Sequence, residues 1–110
     1  IEQEIIEAIE QGLPGFCGGW VSSIMLDRLL EKLGLARRIT HYKRKEMLYS
    51  MGYEYHPALH DGRVNNIVLP DNSKPRLFIK KNAAARNITA AADAGRAYEK
   101  ENNLVSFMAK

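Results

Sequence analysis

Apolar residues recur at helical spacing from the start of the chain: Ile1, Ile5, Ile6, Ile9 and Leu13, with Glu2, Glu4, Glu7 and Glu10 between them. This predicts an amphipathic helix whose acids lie near the positive end of its dipole. Gly12, Pro14 and Gly15 stop it. The run from Gly15 to Val21 holds too many glycines for a helix, so Gly18–Val21 reads as a short extended piece that sends Trp20 and Val21 into the core. Leu26, Leu29, Leu30 and Leu33 then form a second helical stripe, with Asp27, Arg28, Glu31 and Lys32 outside it. Ser22 or Ser23 can cap that helix, and Gly34 can end it in the left-handed conformation. Thr40 can cap a third helix, buried through Met47, Leu48 and Met51 and closed by Gly52.

Beyond Gly52 the period changes. Tyr53–Leu59 alternates aromatic and polar residues and reads as a strand or extended arm, kept from a central position by Pro57. Asp61-Gly62 is a turn dipeptide. Arg63–Leu69 and Arg76–Lys81 then read as the two strands of a hairpin, its loop set by Pro70, Asp71, Asn72 and Pro75. The remainder has a helix-compatible stretch from about Ala90 to Glu101 and few large apolar residues before Leu104, Val105, Phe107 and Met108. The expected organisation is a domain over residues 1–81, then a peripheral helix and partly mobile tail over 82–110, joined by a short linker at 82–87.

Charge is unevenly placed. Residues 1–35 carry six acids against two bases, a net −4, whereas residues 36–86 carry eleven bases against four acids, a net +7. Residues 87–110 balance at zero. Positive charge is therefore concentrated on the third helix and the hairpin, as on a polyanion-binding face. The 110 residues suit one globular core, and no apolar run approaches the roughly 20 residues of a membrane span. No signal peptide is visible, and the single cysteine, Cys17, is compatible with a reducing, intracellular (cytoplasmic) setting. The chain begins with Ile1, which suggests a fragment of a longer protein.

The Gly19-Trp20-Val21 piece, the Ser22/Ser23 cap, the leucine stripe ending at Gly34, the basic helix Thr40–Met51 and the segment Ile67–Ile79 together resemble a winged-helix domain, a helix-turn-helix variant. The resemblance covers roughly residues 1–81. It implies an α+β fold of three helices plus a C-terminal hairpin wing, here with a peripheral C-terminal helix. The run RKEMLYSMGY over residues 44–53, followed by DNSKPRLFI over 71–79, is similar to winged-helix modules appended to phage and mobile-element replication (primase-helicase) proteins. By position, the resemblance makes helix 40–51 the recognition helix in the major groove of double-stranded DNA. Thr40, His41, Tyr42, Lys43, Arg44, Lys45 and Tyr49 would face bases and phosphates there. Wing 67–79 would bring Lys74 and Arg76 to the backbone, with Lys80 and Lys81 near its base. Arg37 and Arg38 would grip an adjacent phosphate.

Plainer readings stand beside these. The stem of Arg44 can lie along the core edge, Lys43–Lys45 can be a solvated face, and Tyr42 and Tyr49 can pack under the wing. Lys80 and Lys81 cannot both point outward from a regular strand. His56 and His60 have a metal-like spacing, but Pro57 lies between them and no third ligand accompanies them, so a histidine supporting the turn is the better expectation. Cys17 is expected to pack near Phe16 and Trp20. Gly15-x-x-Gly18-Gly19 lacks the Lys-Ser/Thr of a phosphate loop. No catalytic residues, metal or cofactor are expected in this segment. The alternative function is a winged-helix protein-interaction module, with helix 1 or the tail docking a partner or a second copy.

Overall fold

The fold is given by a computed structural model that describes residues 2–61, 64–65, 67–69 and 72–102. It is α+β: among the described residues, four α-helices surround a three-stranded antiparallel sheet. Helix α1 spans Glu2–Glu10, strand β1 Trp20–Ser22, α2 Ser23–Lys32, α3 His41–Ser50 and β2 Tyr53–Tyr55. The short strands β3 (His60–Asp61) and β4 (Val64–Asn65) follow, then β5 (Leu77–Lys80) and α4 (Ala91–Glu101). No helix among the described residues is long and apolar enough to cross a membrane.

The helix ends follow their local chemistry. Ser22 Oγ accepts from the Met25 N–H at the start of α2, and Thr40 Oγ1 accepts from the Lys43 N–H at the start of α3. Gly34 takes φ +74° after α2. There the Gly34 N–H donates to Glu31 O and the Leu35 N–H to Leu30 O, while Leu30 and Leu35 are both buried. These two bonds and that apolar pair are the Schellman ending, and they set the turn that leads into α3.

β5 is the central strand, between β1 and β2. Trp20 pairs with Ile79 and Ser22 with Leu77, while Tyr53 pairs with Lys80 and Tyr55 with Phe78. The expected hairpin between 63–69 and 76–81 is corrected here. β4 pairs with β3, and the partners of 77–80 are β1 and β2. Ile67 and Leu69 are instead buried in the core, and bonds between Leu69 and residues 72 and 73 turn the chain back toward β5. The antiparallel pair that β5 makes with a preceding strand of this region is β2–β5, starting at Tyr53 and not at Arg63. Gly62, Arg63, Pro70 and Asp71 lie outside the described residues, as do Ile1 and the tail 103–110.

Both faces of the sheet are covered. Val21, Tyr53 and Phe78 join Ile5, Ile9, Leu30 and Leu48 in one core against α1–α3. Trp20, Leu77 and Ile79 join Leu59, Ile67, Ala94 and Tyr98 in a second core under α4. The expectation of a peripheral C-terminal helix is therefore corrected, because α4 is one wall of the second core. Its Tyr98 is fully buried and meets the Trp20 indole edge-on at 5.6 Å. Two of the expected stripe residues stay exposed: Leu13 lies in the loop beyond α1, and Leu33 caps the end of α2.

Polar groups lock the end of α4 to the glycine-rich loop. The buried Asn102 side chain accepts from the Gly15 N–H at 2.8 Å and the Cys17 N–H at 2.9 Å, and donates to Tyr98 O at 3.0 Å. Trp20 Nε1–H donates to Glu101 at 2.7 Å. Gly15 has φ +96°, and a Cβ there would lie 2.4 Å from Met25 Cγ, so the loop approaches α2 where a side chain would not fit.

Replacing Asn102→Ala leaves two loop N–H groups without their acceptor and should cost about 2–4 kcal/mol, read as a lower thermal midpoint. The Tyr53 phenol is held above its usual value by burial and then by the Glu10 charge. Its folded form stays protonated where the unfolded chain ionises, so stability should fall as pH rises above about 10. Urea titrations across that range should show a shallower fall in Tyr53→Phe.

Candidate nucleic-acid interface

The basic residues of α3 do not share one fate. Met47, Leu48 and Arg44 face inward, which leaves His41, Tyr42, Lys43, Glu46 and Tyr49 on the exposed side. Arg44, expected to reach DNA, is only 8% exposed. Its Nε–H donates to Ile39 O at 3.0 Å, its Nη2 to Ala36 O at 3.0 Å, and its Nη1 pairs with the Asp27 carboxylate. The guanidinium thus satisfies two carbonyls of the α2–α3 turn and ties α3 to α2. Its planar fork of donors is engaged within the protein, while the residue still borders the cleft between α3 and the start of α2.

A cleft of about 340 Å³ lies between α3, the start of α2 and the segment leading into β5. His41, Lys45, Lys74 and Arg76 line it, with Tyr55 and Phe78 as its aromatic wall. Arg76 is placed by two bonds from its backbone to Ser23: its N–H donates to Ser23 Oγ at 2.9 Å and its carbonyl accepts from the Ser23 N–H at 3.0 Å. Lys45 Nζ sits 5.4 Å from the Tyr55 ring centre and 5.8 Å from that of Tyr49, within cation–π range. Tyr55 also stacks on Phe78 at 4.4 Å. Sequence reasoning left Tyr55 and Asp27 out of the site: one positions Lys45, the other holds Arg44. Asp27 read as an ordinary exterior acid of α2, with no signal that a buried arginine would approach it.

The other expected site residues are distributed as follows. Thr40 spends its hydroxyl on the helix cap, and Arg37 and Arg38 are exposed on the preceding turn. Tyr42 is 70% exposed, and Glu46, as neighbouring acceptor and charge, holds its phenol above the usual pKa. It does not pack under the wing. Lys80 is not brought to the cleft: its ammonium lies 5.7 Å over the Tyr53 ring, at the other end of the sheet face. The exposed Lys81 borders a separate hollow with Tyr49 and Tyr53.

The histidine pair does not form a centre. The buried His56 accepts from the Ala58 N–H through Nδ1 and donates through Nε2 to Ala85 O at 2.8 Å, and it stacks on Trp20. Both its nitrogens are used: Nδ1 holds the local turn, and Nε2 joins the β2–β5 connection to the 84–87 turn. His60 lies against Tyr55. No group of three or more His, Cys, Asp or Glu among the described residues is arranged to hold a metal. Cys17 is half-buried, its thiol donating to Gly12 O.

Comparison with protein-family models, with curated proteins and with solved structures gave no match to this chain.

Arg44→Ala should destabilise the protein by about 3 kcal/mol by stranding two carbonyls and a carboxylate, and Arg44→Lys should recover little of it. Lys43→Ala, on the exposed side, should stay within about 0.5 kcal/mol. Chemical denaturation of the three variants checks this.

Proposed function

We propose that this chain is a winged-helix nucleic-acid-binding domain, a non-enzymatic part of a larger replication or mobile-element protein, with double-stranded DNA as its first ligand. The observation that carries the reading is the convergence of His41, Lys45, Lys74 and Arg76, from α3 and from the wing-side segment, on one cleft. The helix order α1, β1, α2, α3 and the sheet order β1-β5-β2 support the architecture. With Arg44 buried, and with no Asn or Gln in α3, binding rests on phosphate neutralisation more than on bidentate contacts to base edges. Lys45, Lys74 and Arg76 form the positive rim of the cleft, Lys43 adds charge on the far flank of α3, and Arg37 and Arg38 extend the positive face along the preceding turn.

One observation favours a protein-interaction reading. On the opposite side of α2, Leu13, Pro14, Phe16, Met25 and Leu29 line an apolar hollow of about 220 Å³. An adaptor would use that hollow and would not need the cationic cleft.

Fluorescence anisotropy with a random duplex of about 20 base pairs separates the two. Affinity should fall about a thousandfold between roughly 50 and 200 mM salt if some six phosphates are contacted. The variant Lys43→Ala/Lys45→Ala/Lys74→Ala/Arg76→Ala, which spares Arg44, should reduce the salt slope by about 3 to 4. A folded wild type that binds neither duplex nor single strand at low salt would remove the nucleic-acid reading and leave the adaptor.

A further inference from the structure

The outermost line of α3 is neither basic nor apolar. Arg44, Met47 and Leu48 define the inward side. At about 100° per residue, the side opposite them carries Tyr42, Glu46 and Tyr49. Tyr42 and Tyr49 are 70% and 45% exposed. They are seven residues apart, so they stand about 10.5 Å apart along the helix and within about 20° of the same direction. Lys45 flanks this line on the cleft side and Lys43 on the other.

Glu46 lies near enough to Tyr42 to hold its phenol above the usual pKa. Tyr49 is braced by Lys45 and meets the edge of Tyr55 at 6.4 Å. Glu46 repels phosphates, which directs a nucleic-acid backbone to the lysines on the flanks and its bases toward the two rings. Paired bases in a duplex groove present edges, and edges are read by forked hydrogen-bonding groups. This line offers one such group, Glu46, beside Tyr42. Ring faces instead match bases that have left the stack.

We infer that the exposed line Tyr42–Glu46–Tyr49 is a stacking platform for unpaired bases, so that the preferred ligand is DNA with a single-stranded stretch beside the duplex. This rests on the nucleic-acid reading above and specifies its ligand. The duplex arm lies against the cleft with Lys74 and Arg76, and the unpaired strand runs along α3.

The test is anisotropy with three labelled ligands: a blunt duplex, a single strand and a duplex with a single-stranded extension. Wild type is compared with Tyr42→Ala/Tyr49→Ala and with Tyr42→Phe/Tyr49→Phe. Both tyrosines are exposed, and matching thermal midpoints confirm that the variants are folded. The extended duplex should bind about tenfold more tightly than the blunt one. The alanine variant should lose at least about tenfold on ligands with unpaired bases and under about twofold on the blunt duplex, with its salt slope unchanged, while the phenylalanine variant retains wild-type affinity. Equal affinity for blunt and extended duplex, or an alanine variant that binds all three as wild type does, overturns the stacking platform and leaves nucleic-acid binding intact. Absence of binding to all three overturns both.

Discussion

Strand β5 separates and joins the two halves of this molecule. Phe78 points into the core shared with α1–α3, and its neighbours Leu77 and Ile79 point into the core shared with α4. The alternation of side chains along a strand lets three consecutive residues serve both cores. Pairing on both edges, with β1 and β2, satisfies its backbone where water cannot reach. A central strand buried on both faces explains why the chain after residue 81 is not an appendage. Without α4, Trp20, Leu77 and Ile79 would lose their cover.

The same strand fixes the cleft. The residue just before it, Arg76, is held to Ser23 by one bond to the Ser23 hydroxyl and one to its backbone, and Ser23 opens α2. α2 in turn carries Asp27, which with the carbonyls of residues 36 and 39 immobilises Arg44 and so sets α3. The cationic side chains facing the cleft are thus mounted on backbone that is bonded to the core. The chemistry divides accordingly: one arginine is consumed in building the support, and the remaining cations border solvent. A charged residue enclosed by carbonyls and a carboxylate is costly to remove, whereas its exposed neighbours can be exchanged with little effect on stability. This difference lets binding be tested apart from folding.

Much of the helical framework was legible in the chain. The caps at Ser22 and Thr40, the stop at Gly34 and the buried faces of α2 and α3 depend on residues within a few positions of one another, and local bonds decide them. Strand pairing was less legible. Residues 63–69 and 76–81 have the look of a hairpin, but β5 takes β1 and β2 as partners, and Ile67 and Leu69 enter the second core. Two strands that each satisfy a period of two carry no label for their partner. The site was legible as a charged region and not as a set of contacts: His41, Lys45, Lys74 and Arg76 do converge, Arg44 borders the same cleft with its guanidinium engaged by Asp27 and two carbonyls, and Lys80 is placed elsewhere.

By itself, then, the sequence determined where helices start and stop, which faces they bury and where positive charge accumulates, because these follow from local bonding, periodicity and composition. Tertiary structure decided the rest. It placed α4 over Trp20 through the buried bonds of Asn102, 85 and 87 residues from its partners. It also gave Arg44 to the interior and left Tyr42 and Tyr49 to solvent. The physical reason is the same in each case. A buried polar group must find its partner wherever the fold brings one, and no spacing along the chain encodes a meeting between residues so far apart.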